Sequence, residues 1–471
     1  MRLEDFDLKW QKDLIPHHES DVVYECIGCG RTYPLEKFLY VCPACKSLLD
    51  LKDNNFDQLK AIPGDRWQRI FDYRKLLNEP AGLKGIFLFH ELILPFIPLD
   101  EIIYLGEGHT PIVAANQDLS QLIGANFSIK YDGLNPSASF KDRGMASVVS
   151  FINFYLKHKC TDNVLGICAS TGDTSAAAAL YLAYLDHNRV KSAVLLPSGK
   201  VTPQQLSQPL GSGAKVIEIP GVFDDCMKLV EELSENYDVF LLNSKNSLRI
   251  VGQKSYSFEI AQQLDYKTDN LTLLVPIGNA GNITAIMQGF LDLQELGIIN
   301  KLPKIIGVQS IHANPVYNWY KEGNYNPVKV KPSVAQAAMI GNPVSFPRVN
   351  KLVKNYYKEQ FMAVQVSEQE IIESMLLANR HGHVICTQGG ETVAGLKRVI
   401  EDGLLSVDDT IIVKSTSHQL KFAGFQQMFF DSSFPDEYHI KSKDELKNIP
   451  IPLSASAKEI AEYLGLTSTS K

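Results

Sequence analysis

The sequence predicts an α/β fold built on a parallel or mostly parallel sheet covered on both faces. Three observations carry this. From about Tyr104 onward, short apolar runs alternate with helical stretches. Turns rich in Gly, Ser and Asn separate the two. The chain has 471 residues, 45% hydrophobic and 21% charged, enough for two or three domains with their own cores.

The predicted strands are 163–168, 192–196, 215–219, 239–242, 271–275, 304–309, 362–366 and 410–414. Met145, Val148, Val149, Ile152 and Leu156 recur at helical spacing after the run NPSASFKDRG at 135–144. Ser367 with Glu370 forms a capping box, and Gly382 closes that helix. Residues 1–50 form a cysteine-bearing segment and 51–104 a mostly helical connection; 105–471 is the main α/β region, with a smaller part at about 145–245. The most apolar stretch, 85–99, holds His90, Glu91, Pro95 and Pro98 and is too short to span a bilayer. No signal peptide is visible, so a reducing, cytoplasmic setting is expected. A net charge of −7 argues against nucleic acid as the main partner.

Eight cysteines are present. Cys26, Cys29, Cys42 and Cys45 form two C-x-x-C knuckles, CIGCG and CPAC. Two such knuckles bring four thiolates to the corners of a tetrahedron, which suits zinc, or iron in a similar site. No catalytic base accompanies them, so the metal reads as structural, stabilising a segment too small for a core of its own. A short hairpin within 32–41 is expected between the knuckles. Cys160, Cys168, Cys226 and Cys386 are scattered in apolar or helical contexts and read as reduced core thiols.

In open α/β sheets, ligands bind beyond the carboxyl ends of the strands, so the loops there are searched first. Lys141 follows an Asn-Pro-Ser turn and precedes a helix. A rigid, half-buried lysine with few acids nearby loses its proton easily and can attack an aldehyde; the plain alternative is a surface lysine paired with Asp142. After strand 271–275 comes Gly278-Asn279-Ala280-Gly281-Asn282, then a helix. Its backbone N–H groups and the helix start suit a phosphate ester, or the loop is simply a tight turn. Ser170, Thr171, Asp173 and Thr174 open an Ala-rich helix and suit a second anion, although Asp173 would repel one; the alternative is plain N-capping. Asn243 and Ser244, with Arg249 close behind, form a third candidate, since Arg grips phosphate with two parallel bonds. Two anion sites and one activated lysine suggest pyridoxal phosphate and a phosphorylated substrate.

With these motifs in place, residues 105–422 resemble the pyridoxal-phosphate enzymes of the tryptophan-synthase-β fold type, and among them the threonine synthases. The resemblance runs in order through LGEGHTPI at Leu105, NPSASFKDRG, STGDTS, the NS…R…GQK run, GNAGN, and STSHQLK at Ser415. Some members also carry an N-terminal four-cysteine ribbon. The resemblance implies two open α/β domains of the fold-type II kind and a homodimer. It also implies that Lys141 bonds the cofactor aldehyde and later moves protons, that Gly278, Asn279, Ala280, Gly281 and Asn282 cradle the cofactor phosphate, and that Thr416 bonds the pyridine nitrogen. By the same resemblance, Asp173 takes the place where the family usually has Asn near the cofactor 3′-oxygen. Ser170, Thr171, Thr174, Asn243, Ser244 and Arg249 match residues that hold the substrate phosphate.

The implied reaction is threonine formation from O-phosphohomoserine and water. Several positions depart from the family pattern: Ser137-Ala138 for Thr-Gly, Asp173 for Asn, Ser417 and Gln419 for glycines, and the run Thr387 to Glu391. Alternatives within the fold type are a cysteate-synthase-like enzyme acting on O-phosphoserine and a hydroxy-amino-acid dehydratase, which the Asn243/Ser244/Arg249 set disfavours. A ribbon-bearing scaffold or nucleic-acid protein with a dead enzyme domain is disfavoured by the acidic charge and by Lys141.

Overall fold

The computed structural model describes residues 1–159, 163–170, 172–198, 203–221, 223–237, 239–405 and 409–467. The strands are β1 (Val22–Cys26), β2 (Thr32–Pro34), β3 (Leu49–Asp53), β4 (Ile112–Ala114), β5 (Ser128–Tyr131), β6 (Val164–Ala169), β7 (Val190–Pro197), β8 (Lys215–Ile219), β9 (Val239–Leu241), β10 (Leu271–Pro276), β11 (Lys304–Ser310), β12 (Phe361–Val366) and β13 (Thr410–Ser415). They form three sheets. One has the order β12-β11-β10-β13-β5-β4, parallel except for the antiparallel β4–β5 pair. A second, β8-β7-β6-β9, is wholly parallel. The third, β2-β1-β3, is antiparallel and holds the N-terminal cysteines.

The α/β class expected from alternating runs is the class observed, and β6 to β13 fall on the runs that predicted them. In the six-stranded sheet two strands were not legible. β4 is three residues long and mostly exposed, and β5 carries Lys130, a fully buried charge that interrupts its apolar pattern. The hairpin expected within 32–41 does not form. Only Thr32–Pro34 is strand, and it pairs with β1, while Val41 bridges to Leu48. β3 carries the ribbon sheet past residue 50, because Val22 to Cys26 pair with it through Asp53.

The segment expected to be a helical connection includes one long helix, Gly64–Leu76, and several short turns. Ile86, Phe87, Leu88, Phe89, Leu92, Ile93 and Leu94 are all buried in the main core. Each such side chain contributes roughly 1.5–3 kcal/mol by leaving water. Phe89 packs against Phe71 and Phe258, with ring centres 4.9 and 5.2 Å apart. Arg74 donates to both oxygens of Glu91 at 2.6 Å, a buried bidentate ion pair. The segment thus completes the core behind the helix Ser255–Gln263. Among the described residues, no helix is long and apolar enough to cross a membrane.

Candidate active site

A backbone pairing places Lys141. Phe140 N–H donates to the Thr416 carbonyl at 2.9 Å, and His418 N–H donates to the Ala138 carbonyl at 3.0 Å. Ser139 and Ser417 form the bridge between them. Ala138 has φ of 63°, a left-handed conformation in which glycine is favoured, so this departure from Thr-Gly costs about 1 kcal/mol locally. Lys141 then opens the helix Lys141–His158. Asp142 turns away and accepts from Ser137 N–H at 2.7 Å, so it does not pair with Lys141.

Two residues on, Arg143 anchors the helix. Its guanidinium donates to Asp132 Oδ1 at 2.8 and 3.0 Å and to Glu259 at 2.5 and 2.8 Å. Lys414 on β13 pairs with the other Asp132 oxygen, and Lys130 lies 3.1 Å from Glu259. All five groups are fully buried. Removing one would strand its partners without water, at roughly 3–5 kcal/mol. Gly252 sits where a Cβ would lie 2.1 Å from the Arg143 carbonyl, and Gly144 where one would lie 2.9 Å from the Arg249 carbonyl. These two glycines let the Lys141 helix touch the helix Ser247–Gln253 backbone to backbone, which brings Arg249 to the same cleft.

The cleft lies between these two helices and the glycine-rich loop after β10. Lys141, Asp173, Ser244, Arg249, Gly278, Asn279, Ala280, Gly281, Asn282 and Thr416 all line it. Burial, then the Arg249 cation, brings the Lys141 amine down to about 7; Lys414 and Lys421 act in the same direction, and Asp173 opposes them. The amine lies 4.2 Å from the centre of the Phe140 ring. A lysine in this state is a competent nucleophile near neutral pH.

The glycine-rich loop follows β10 and turns through Ala280 at φ of 61° into the helix Gly281–Glu295. Among the described residues, no protein group accepts from the N–H of Gly278, Asn279, Ala280, Gly281 or Asn282. Asn279 is held from behind instead, its carbonyl accepting from Ser345 N–H at 3.0 Å. A Cβ on Gly278 would lie 3.1 Å from the Ala337 carbonyl oxygen. N–H groups without a protein acceptor at a helix start have the chemistry that suits a phosphate.

The remaining residues divide. Arg249 is 2% exposed; Nη1 donates to the Leu242 carbonyl at 2.9 Å and Nε has no partner. Ser244 is half-buried beside it. Asn243 does not border the cleft: its amide is bonded at both ends to the Ala169 backbone, at 2.7 and 3.0 Å, and ties the end of β6. Ser170 Oγ accepts from Gly172 N–H at 3.2 Å, and Thr174 lies in the following helix turn; neither borders the cleft. Thr171 lies outside the described residues, as does Cys160. Cys168, Cys226 and Cys386 are buried and free. Thr416 Oγ1 lies 3.5 Å from the Cys386 thiol.

Three contributors were not assigned from the sequence. Lys421 Nζ lies 3.0 Å from Asp173 Oδ1 and donates to the Ser137 carbonyl at 2.8 Å, so the carboxylate near the anion sites is neutralised. Lys421 closes the STSHQLK motif, which is the signal that could have found it. Gln388 lines the cleft with both amide atoms buried and unpartnered, and Gln253 accepts from Asn282 Nδ2 at 3.2 Å. Gln388 precedes Gly389-Gly390 at a helix start, a cue to close packing there.

In the ribbon, the four Sγ atoms of Cys26, Cys29, Cys42 and Cys45 all lie within 4.8 Å of one another, with Cys26–Cys45 at 3.4 Å and Cys29–Cys42 at 3.7 Å. A tetrahedron with bonds of about 2.3 Å has edges of about 3.8 Å.

A half-buried lysine of lowered pKa and a glycine-rich helix start after a parallel strand line one cleft, and residues 103–416 match the family model for pyridoxal-phosphate dependent enzymes, to which this chain belongs. Within that family, the chain is 34% identical over 443 residues to threonine synthase 2, chloroplastic, of Arabidopsis thaliana, covering 92% of this chain and 82% of the relative. It is 35% identical over 409 residues to threonine synthase of Methanocaldococcus jannaschii, covering 85% and 93%. Its fold matches the crystal structure of threonine synthase from Escherichia coli with a TM-score of 0.63 at 20% identity, over 94% of this chain and 95% of that one.

The residues present fit pyridoxal phosphate. The lowered lysine supplies the amine, the free N–H groups of 278–282 suit its phosphate, and the buried unpartnered atoms of Asn282 and Gln388 face a polar occupant.

Proposed function

We propose that this protein is a threonine synthase, converting O-phospho-L-homoserine and water to L-threonine and phosphate with pyridoxal phosphate as cofactor. The observation that supports the reading is one cleft lined by Lys141, by the loop 278–282 and, apart from it, by Arg249 and Ser244. One wall suits the cofactor phosphate and the other a substrate phosphate, which disfavours an unphosphorylated hydroxy amino acid. The relatives named above support it over most of the chain.

When bound, pyridoxal phosphate supplies an aldehyde and an electron sink for charge developing at the substrate α-carbon. The Lys141 amine, with a pKa near 7, is in good part neutral at that pH and takes the α-proton and relays a β-proton. Arg249 and Ser244 orient the γ-phosphate and stabilise it as it leaves. Thr416 offers a neutral hydroxyl, which does not hold a ring nitrogen fully protonated. Lys421 neutralises Asp173, so a carboxylate can stand beside anions without repelling them. In net terms the γ-carbon–oxygen bond breaks and phosphate leaves, the β-carbon gives up one proton and takes the water hydroxyl, the γ-carbon gains a proton, the α-carbon regains its own, and the remaining water proton goes with the phosphate. The reading includes a homodimer, taken from the resemblance.

The test is phosphate release by the cofactor-loaded protein given O-phospho-L-homoserine, with the product identified. Phosphate and threonine in equal amounts is the expected result. Cofactor binding without turnover, together with turnover of O-phosphoserine, would replace this substrate assignment.

The ribbon is proposed to hold one structural zinc through Cys26, Cys29, Cys42 and Cys45, supported by the clustering of the four sulfurs. Its own buried apolar cluster is only Tyr24, Cys26, Cys42 and Leu49, too few to fold without a staple. Metal analysis is expected to find about one zinc per chain. Cys42→Ser is expected to lose it and open residues 22–53 to proteolysis. Full protease resistance in a metal-free Cys42→Ser protein would sink the zinc assignment.

A further inference from the structure

The ribbon is not a separate appendage, because β3 begins against both walls of the cleft. The Leu49 carbonyl accepts from Ser247 Oγ at 2.5 Å and from Arg348 Nη2. Ser247 is the first residue of the helix that carries Arg249. Arg348 is 2% exposed and reaches in two directions. Its Nε donates to Asp50 Oδ1 at 2.5 Å, on the ribbon. Its Nη1 donates to Ser345 Oγ at 3.1 Å. The Ser345 N–H in turn donates to the Asn279 carbonyl at 3.0 Å, inside the glycine-rich loop. One carbonyl therefore bonds the Arg249 helix, and one guanidinium bonds the ribbon to the backing of the loop.

We propose that the N-terminal ribbon is a clamp that sets the phosphate-binding loop, and that Arg348 is the positioning residue through which it acts. The proposal rests on reading 278–282 as the cradle of the cofactor phosphate. Arg348 does not line the cleft, so its effect is indirect. The physical need is clear: backbone N–H groups stabilise an oxyanion only when held at the correct distance beforehand. Ala280 is held by its own helix through Thr284, but among the described residues the loop's N–H groups have no acceptor and Asn279 accepts from the N–H groups of Val344 and Ser345, on the segment that Arg348 bonds. Arginine suits the task because a rigid fork bonds three acceptors on two segments at once, Leu49 and Asp50 on the ribbon and Ser345 behind the loop. A lysine ammonium on a flexible stem cannot keep all three in register.

The rival explanation is that Arg348 merely staples the ribbon for stability. Titrating the full-length apoprotein by absorbance with pyridoxal phosphate and, separately, with pyridoxal distinguishes the two. Both ligands need Lys141, but only the first needs the cradle. Arg348→Lys is expected to weaken pyridoxal phosphate by at least about tenfold and pyridoxal by less than roughly threefold. Ser345→Ala removes the acceptor of Arg348 Nη1, so it uncouples Arg348 from the backing of the loop while leaving the ribbon bonds and the backbone bond to Asn279; it is expected to show the same selectivity and carries the test if Arg348→Lys fails to fold. Equal losses for both ligands, or no loss for either, in the folded variant would overturn the clamp. A wild-type protein that binds both ligands equally would instead overturn the cradle reading, before Arg348 is considered.

Discussion

Lys141→Ala is expected to leave the protein folded but unable to develop the absorbance of bound pyridoxal phosphate, with turnover lowered by at least about 10⁴-fold. The loss is this large because one amine performs both the covalent capture of the aldehyde and the proton transfers. The fold should survive, since Asp142 is engaged elsewhere and the anchoring of the helix lies with Arg143. A variant with intact secondary structure, no colour and no turnover fits the assignment; a coloured variant would remove Lys141 from it.

The same residue predicts a pH dependence. Capture needs the neutral amine, and burial with Arg249, Lys414 and Lys421 around it lowers its pKa to about 7, against the opposing Asp173. The capture rate by the apoprotein should therefore rise as pH increases through about 7 and level off above it. For an ordinary lysine the rise would continue toward about 10.4. A rate that climbs steadily up to that value would mean that the amine keeps its ordinary basicity inside the cleft, and that burial beside Arg249 does not neutralise it.

What the sequence made legible was local. A strand followed by small residues and a helix start announces itself within ten positions, and this located the loop 278–282, the turn carrying Lys141 and the cysteine knuckles. The pairings that give these segments their chemistry are long-range, and no window contains them. Arg348 meets Asp50, and Lys414 meets Asp132, across separations of 298 and 282 residues. Lys421 stood inside a recognised motif, yet its task depends on Asp173 lying opposite, which only the fold provides. Asn243 shows the reverse. The motif grouped it with the phosphate residues, but its amide is wholly engaged in tying β9 and β6 together at Ala169. Its spacing from Ser244 and Arg249 could not separate a residue that lines the cleft from one that shapes it. The strand β5 was hidden because Lys130 breaks the apolar pattern, and a buried ion pair leaves no mark in hydrophobicity.

Arg249→Met is expected to lower kcat/KM for the phosphorylated substrate by roughly 10²–10³-fold while leaving pyridoxal phosphate bound. Among the described residues no carboxylate pairs with this guanidinium; its hydrogen bond goes to a neutral carbonyl, and Nε is unpartnered. Burial pushes its pKa down only to about 10, so it stays charged at pH 7. A buried cation without a counter-ion destabilises the protein that holds it. That cost is offset when a phosphate arrives, which is why the residue discriminates so strongly for a phosphorylated substrate. Removing the charge should therefore raise Tm or leave it unchanged while activity falls, the opposite of what a structural arginine would do. Arg249→Lys should recover little, because a point charge does not reproduce two parallel bonds. Arg249→Met should also move the capture profile of Lys141 to higher pH, since Arg249 is the largest of the charges that depress that amine. Loss of activity with a fallen Tm and no displacement of the capture profile would assign Arg249 to the scaffold. Loss of activity with a steady Tm and a displaced profile would place it, and the substrate phosphate with it, next to Lys141.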